Sequence, residues 1–140
     1  MREFVAITKA LASEQRLRIL MALRGRSLCE SVLIELLGLA AATISKHLWL
    51  LRQAGLVDSD KSGRCVCYRL PSCESDEAVG QTLQWLHASL AHKPQIQDDA
   101  VRLATLIRRS SVQSQCRQLR RRRARRFVMR TAHPQRVHAP

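Results

Sequence analysis

The chain has 140 residues, 46% hydrophobic and 4% aromatic, enough apolar material for one small domain and too few rings for a ligand-stacking surface. Its net charge of +13 is unevenly placed: residues 1–100 carry 12 basic against 11 acidic side chains, and residues 101–140 carry 12 arginines and no acid. The basicity therefore belongs to the tail and says little about the folded part.

No run approaches the ~18 apolar residues of a membrane span, and Glu3 interrupts the N-terminal segment where a signal peptide needs an unbroken apolar stretch. This argues against a membrane partner and for the cytoplasm. Five cysteines, an odd number, without an export signal suggest reduced thiols available for metal or redox chemistry rather than a disulfide framework. No nucleophile–base–orienter set, phosphate-binding glycine loop or paired acidic motif is present, so an enzyme is not expected.

In chain order, residues 2–12 predict a first helix with Phe4, Ile7 and Leu11 on one side. Ser13 suits the N-cap of a second helix, Glu14 to Arg24, stopped by Gly25. Ser27 and Glu30 have the spacing of a capping box, which predicts a third helix starting there and ending at Gly38, with Val32, Leu33, Leu36 and Leu37 inward. The fourth helix, Ala41 to Ala54, buries Ile44, His47, Leu48 and Leu51 at i, i+3, i+4 and i+7 and turns Thr43, Ser45, Lys46, Trp49 and Arg52 outward.

Leu56-Val57 then begin a strand, residues 58–63 form a polar turn, and residues 64–70 alternate as a second strand ended by Pro71, with Cys65, Cys67 and Arg69 on one face and Val66, Tyr68 and Leu70 on the other. A fifth helix, Asp76 to His92, carries Val79, Leu83, Leu86 and Leu90 as a seam that asks for another helix. A short sixth helix around residues 100–107 precedes the arginine run.

The expected fold is therefore mostly α with a small β-hairpin, a winged helix-turn-helix of the kind that reads DNA. Residues 1–93 form the domain, 94–110 a short C-terminal helix, and 111–140 an Arg-rich tail with too little apolar material to order alone.

The segments LASEQRLRIL, LCESVLIELLGL, ATISKHLWLLRQAGLV and SGRCVCYRL, within about residues 11–70, resemble the ArsR/SmtB family of metal- and thiol-responsive repressors. The resemblance implies a homodimer closed by the first and fifth helices, binding an inverted-repeat operator in double-stranded DNA and released by an inducer. Two-fold symmetry would set the two reading helices in major grooves ~34 Å apart. It also implies that Thr43, Ser45, Lys46 and His47 face the bases, while Lys46, Arg52, Lys61 and Arg64 suit phosphates. The chain departs from the family where a polar cap is usual: Ala40, Ala41 and Ala42 stand at the start of the fourth helix, which narrows base readout.

Arsenic-type members carry Cys-x-Cys at the start of the third helix, but here the residues are Cys29, Glu30 and Ser31, and a serine is a poor soft-metal ligand. Cys29 in the first turn is expected to gain thiolate character from the helix terminus. Cys65 and Cys67 share a strand face, and Cys73 folding back beside them would give three soft ligands for trivalent arsenic or antimony, or a soft divalent metal. Cys116 resembles the C-terminal cysteine of some arsenic-type members and could join Cys29 or form a disulfide switch. His87 and His92 are five residues apart, roughly 140° around a helix, and make a poor zinc pair.

The functional expectation is thus a repressor released by a thiophilic metalloid or metal such as arsenite. The alternatives are a thiol-redox or persulfide-responsive repressor, and a polyanion-binding protein acting through Arg120–Arg126.

Overall fold

A computed structural model of the chain describes residues 1–62, 65–72 and 76–110. Six helices, α1 (Arg2–Leu11), α2 (Glu14–Ala22), α3 (Glu30–Leu37), α4 (Ala41–Gln53), α5 (Glu77–Leu90) and α6 (Pro94–Arg109), surround a small sheet of β1 (Leu28–Cys29), β2 (Asp58–Ser62) and β3 (Cys65–Arg69). The sheet is antiparallel in the order β1-β3-β2. The fold is a winged helix-turn-helix: the chain turns through 114° between α3 and α4, and β2 and β3 form the wing. Among the described residues no single helix is long and apolar enough to cross a membrane.

The core is assembled by the helical stripes read from the sequence. Ile19 and Leu20 of α2, Leu33 and Leu36 of α3, and Ile44, Leu48 and Leu51 of α4 are fully buried together with Leu56, as close packing of i, i+3, i+4 and i+7 positions requires. Gly38 turns α3 into α4 at φ 66°, a left-handed conformation that costs an L side chain roughly 1–2 kcal/mol. Ala40 is the N-cap of α4 at φ −60°, ψ 145°, with no side-chain cap, so the missing hydrogen bond anticipated for this helix is real. Ala40→Ser, whose hydroxyl can reach the first-turn amides from that extended conformation, is expected to stabilise the domain by about 1 kcal/mol. Urea unfolding at fixed protein concentration checks it, and an unchanged midpoint would show that the cap is not limiting.

Several expectations change. The capping box at Ser27 does not form: α3 begins at Glu30 with Cys29 as N-cap. Leu28 and Cys29 pair instead with Tyr68 and Cys67 of β3, and the ladder hydrogen bonds gained there are incompatible with starting the helix three residues earlier. Residues 58–62 are strand rather than turn, paired residue for residue with 65–69. Their acidic side chains are accommodated because Arg69 lies across from them, 3.1 Å from Asp58 and 3.6 Å from Asp60. The expected two-stranded hairpin is thus a three-stranded sheet.

The chain itself supplies the helix that the α5 seam asks for: Val79, Leu83 and Leu86 are buried, and α5 packs on α2. Phe4 of the α1 stripe, by contrast, is 57% exposed while Ile7 is buried. Asp76 caps α5 by accepting from the amides of Ala78 and Val79. The sixth helix fills the 94–110 segment, extending well before the stretch around residues 100–107, and belongs to the packed body, with Leu103 and Leu106 buried against α2 and α3. Its Asp99 meets Arg18 of α2 in a bidentate pair at 2.7 and 2.8 Å, and its Arg102 donates to the Glu35 carbonyl at 3.0 Å.

Candidate functional site

The outward face of α4 carries Thr43, Ser45, Lys46, Trp49 and Arg52, all exposed, and Lys61 is exposed on the neighbouring wing strand. A helix with Ile44, Leu48 and Leu51 locked in the core can present this row to a groove without moving, and the row combines hydroxyls with cations as phosphate-plus-base reading requires. His47 lies on the buried stripe and does not join this row. It is half-buried, with Nδ1 3.5 Å from the Arg16 guanidinium; because arginine can only donate, Nδ1 is the acceptor of a neutral ring. Burial, then the charges of Arg16 and Lys46, lower its pKa. Arg16 also donates to the Lys9 and Ala10 carbonyls at the end of α1, so His47 helps to seat α4 against α1 and α2 rather than to face bases. Arg64 lies outside the described residues.

Ser45 is not a bare hydroxyl. Its Oγ donates to Glu30 Oε1 at the start of α3, a contact between residues fifteen apart that no periodicity argument anticipates. The charge of Glu30 is also felt by Tyr68, whose pKa is raised by burial first and by Glu30 second.

Behind this face three sulfurs converge. Cys29 sits at the junction of β1 and α3, directly across the ladder from Cys67, and Cys65 lies two residues along β3 on the same side. Cys29 Sγ is 2.7 Å from Cys65 Sγ, Cys65 Sγ is 3.7 Å from Cys67 Sγ, and all three atoms lie within 4.8 Å of one another. All three residues are buried. None lines the open cleft of about 1210 Å³ between α2, β3 and α5.

Among the described residues it is Cys29 that joins the β3 pair; Cys73 and Cys116, also named from the sequence, lie outside the described residues. Cys67 is disulfide-bonded, so ligation by all three sulfurs requires its reduction.

Cys29 also reverses the expectation of an activated thiolate. Its pKa is pushed up to about 12, by burial first and then by its hydrogen bond to Cys65. The helix-terminus field favours the anion by only ~0.3–1 kcal/mol, and removal from water outweighs it. At neutral pH this is a protonated thiol. Among the described residues His87 and His92 do not join a ligand cluster; His87 is half-buried, with its pKa lowered by burial.

The model of the bacterial regulatory protein arsR family matches residues 13–59. The arsenic resistance transcriptional regulator ArsR1 of Pseudomonas putida is 33% identical over 115 residues, 76% of this chain and 84% of that protein. The chain belongs to the arsR family. The repressor SmtB of Mycobacterium tuberculosis is 38% identical over 64 residues, and that match spans 46% of this chain and 47% of SmtB, about half the length of each. The solved structure of HlyU from Vibrio cholerae superposes with a TM-score of 0.57 at 34% identity, covering 65% of this chain and 95% of that one.

Within this arsR-family chain, the contacts at the candidate site that sequence reasoning missed are long-range ones: Cys29 with Cys65 and Cys67, and Glu30 with Ser45. The one available signal was that Leu28-Cys29 is a short apolar pair ahead of a helix, which a capping-box reading absorbed into the helix.

Proposed function

We propose that the chain is a homodimeric transcriptional repressor that reads an inverted-repeat operator with Thr43, Ser45 and Lys46, contacts phosphates through Lys46, Arg52 and Lys61, and is released by a trivalent metalloid bound to Cys29, Cys65 and Cys67. It would act in the cytoplasm. The observation that carries the effector reading is the meeting of three buried sulfurs within 4.8 Å, at the junction from which α3 and the wing both depart. The exposed apolar side chains Phe4 and Trp85, 57% and 63% accessible on α1 and α5, are the material for a dimer contact through those helices.

Charge selects among soft ions. Arsenous acid condenses with three thiols, each S–H giving its hydrogen to a departing hydroxyl, so that three As–S bonds form, three waters leave and the product is neutral. A divalent cadmium or zinc ion on three thiolates leaves a net negative charge, which a buried site with no cation in its ligand set resists. Protonated thiols such as Cys29 are the form that the first reaction consumes.

The test is operator binding by full-length protein in a reducing buffer, with arsenite, antimonite, cadmium, zinc or a persulfide donor added. Arsenite or antimonite should release the DNA from the native protein and fail to do so in each of Cys29→Ser, Cys65→Ser and Cys67→Ser. Outer-shell partners of a metal ligand are worth ~10–100-fold in affinity, so loss of a ligand itself should exceed about 100-fold. Release that persists in all three variants would overturn the site.

A second reading rests on a separate observation, the disulfide at Cys67. It makes the wing strand sensitive to oxidation, and release by an oxidant without any added ion would favour it. Residues 111–140 lie outside the described residues; a polyanion-binding role for Arg120–Arg126 predicts a DNA affinity that falls more steeply with salt than that of a chain ending at Ile107.

A further inference from the structure

The Ser45–Glu30 contact determines what Ser45 can read. A serine hydroxyl has one hydrogen to donate and two lone pairs to accept with. In this chain the hydrogen is committed to the Glu30 carboxylate, an acceptor-only group when ionised, and what Ser45 presents to solvent is therefore its lone pairs. Glu30 is itself only half-buried, so its second oxygen adds acceptor character to the same patch. An unrestrained serine would pair with either kind of base edge. A serine held in this way pairs only with donors.

In the major groove the donors are the amino groups of adenine N6 and cytosine N4, while guanine offers N7 and O6 and thymine offers O4, all acceptors. We propose that Glu30 orients Ser45 so that the chain requires an amino base, adenine or cytosine, and rejects a keto base, guanine or thymine, at one position of each operator half-site. The assignment rests on the reading of α4 as the helix in the groove, and adds to it a residue outside that helix. Glu30 is a positioning residue: it acts on the base through the Ser45 hydroxyl.

The experiment is selection of duplexes from a random library with the full-length protein in a reducing, ion-free buffer, followed by affinity measurements on single-base variants of the selected site. In the native protein one position per half-site should prefer adenine or cytosine over guanine or thymine by about 5- to 50-fold, the range for a hydrogen bond exchanged for an unpaired acceptor facing another acceptor. Glu30→Ala frees the hydroxyl to rotate, and the preference at that position should fall below about threefold with other positions unchanged. Glu30→Gln retains an amide oxygen that can accept from Ser45 and should keep most of the preference, which separates hydrogen-bond direction from charge. Ser45→Ala should lose the preference as Glu30→Ala does, whereas Lys46→Ala should weaken binding evenly across sequences and reduce its salt dependence.

Circular dichroism and unfolding of each variant confirm that the comparison is between folded proteins. A preference for keto bases, or an amino preference that survives Glu30→Ala intact, would overturn this assignment while leaving operator reading by α4 in place. Equal affinity for all sequences in the native protein would overturn both.

Discussion

Asp99→Ala is expected to lower the unfolding free energy by about 3–5 kcal/mol, the usual penalty for stripping a buried charge of its partner. The Arg18 and Asp99 side chains are 12% and 8% exposed, and Asp99 receives two guanidinium N–H groups together with Gln95 at 3.0 Å. The pair holds the Arg18 pKa above its ordinary value, chiefly through that hydrogen bonding and against the opposing effect of burial. Truncation leaves the guanidinium among α2 and α6 side chains with Gln15 as its remaining hydrogen-bonded partner. The double replacement Arg18→Met with Asp99→Leu should recover most of the loss, because two apolar groups of similar size need no pairing. Urea unfolding of all three proteins at one protomer concentration, needed because dimerisation shifts apparent stability, measures both. If the double variant is as unstable as Asp99→Ala, the pair is contributing more than mutual compensation. The consequence for function is positional: this pair and the Arg102–Glu35 contact fasten α6 to α2 and α3, the helices that carry the reading unit.

Cadmium affinity should rise by at least about tenfold per pH unit between roughly pH 6 and pH 8, while arsenite affinity stays level. The sign follows from Cys29, whose pKa lies at about 12 because the thiol is buried and hydrogen-bonded to Cys65. Throughout that range Cys29 carries its proton, and a divalent ion must expel it, so each unit of pH favours the bound state by a factor of ~10 for that proton alone. Arsenous acid takes the same hydrogen away in a water molecule, and no net proton is released. Competition titrations in a reducing buffer at several pH values distinguish the two. A cadmium affinity that stays level, with an arsenite affinity that falls as pH rises, would mean that the thiols are already deprotonated in the unloaded protein, and the argument for a trivalent effector would fail with them.

The helices were legible because their evidence is local. The Ile44, Leu48 and Leu51 stripe and Gly38 each act within one or two helical turns, and each stands in the structure where periodicity and backbone chemistry put it. One local reading failed to a distant pairing, and another left its partner unnamed. Ser27 and Glu30 have ideal capping spacing, but the intervening Leu28 and Cys29 gain a pairing with Tyr68 and Cys67 that a capped helix would forgo. The α5 leucines have the spacing of an intermolecular seam, yet that spacing is equally served by α2 of the same chain. Periodicity identifies a buried face without naming what buries it.

The same division runs through the candidate site. The outward row of α4 follows from knowing which face is buried, so Thr43, Ser45, Lys46 and Arg52 could be named from the chain alone; His47, on the boundary between faces, was decided by the position of Arg16, thirty-one residues away. Sulfur-bearing positions were visible as letters, but their grouping was not. Cys29 and Cys65 are 36 residues apart, and their meeting depends on the register in which β1 pairs with β3, a one-residue shift of which would send Cys29 to the opposite face. Residue types and their local periods determine which elements form and which chemistry is available. Strand register and helix docking, which depend on free energies summed over distant contacts, decide which of those residues share a site.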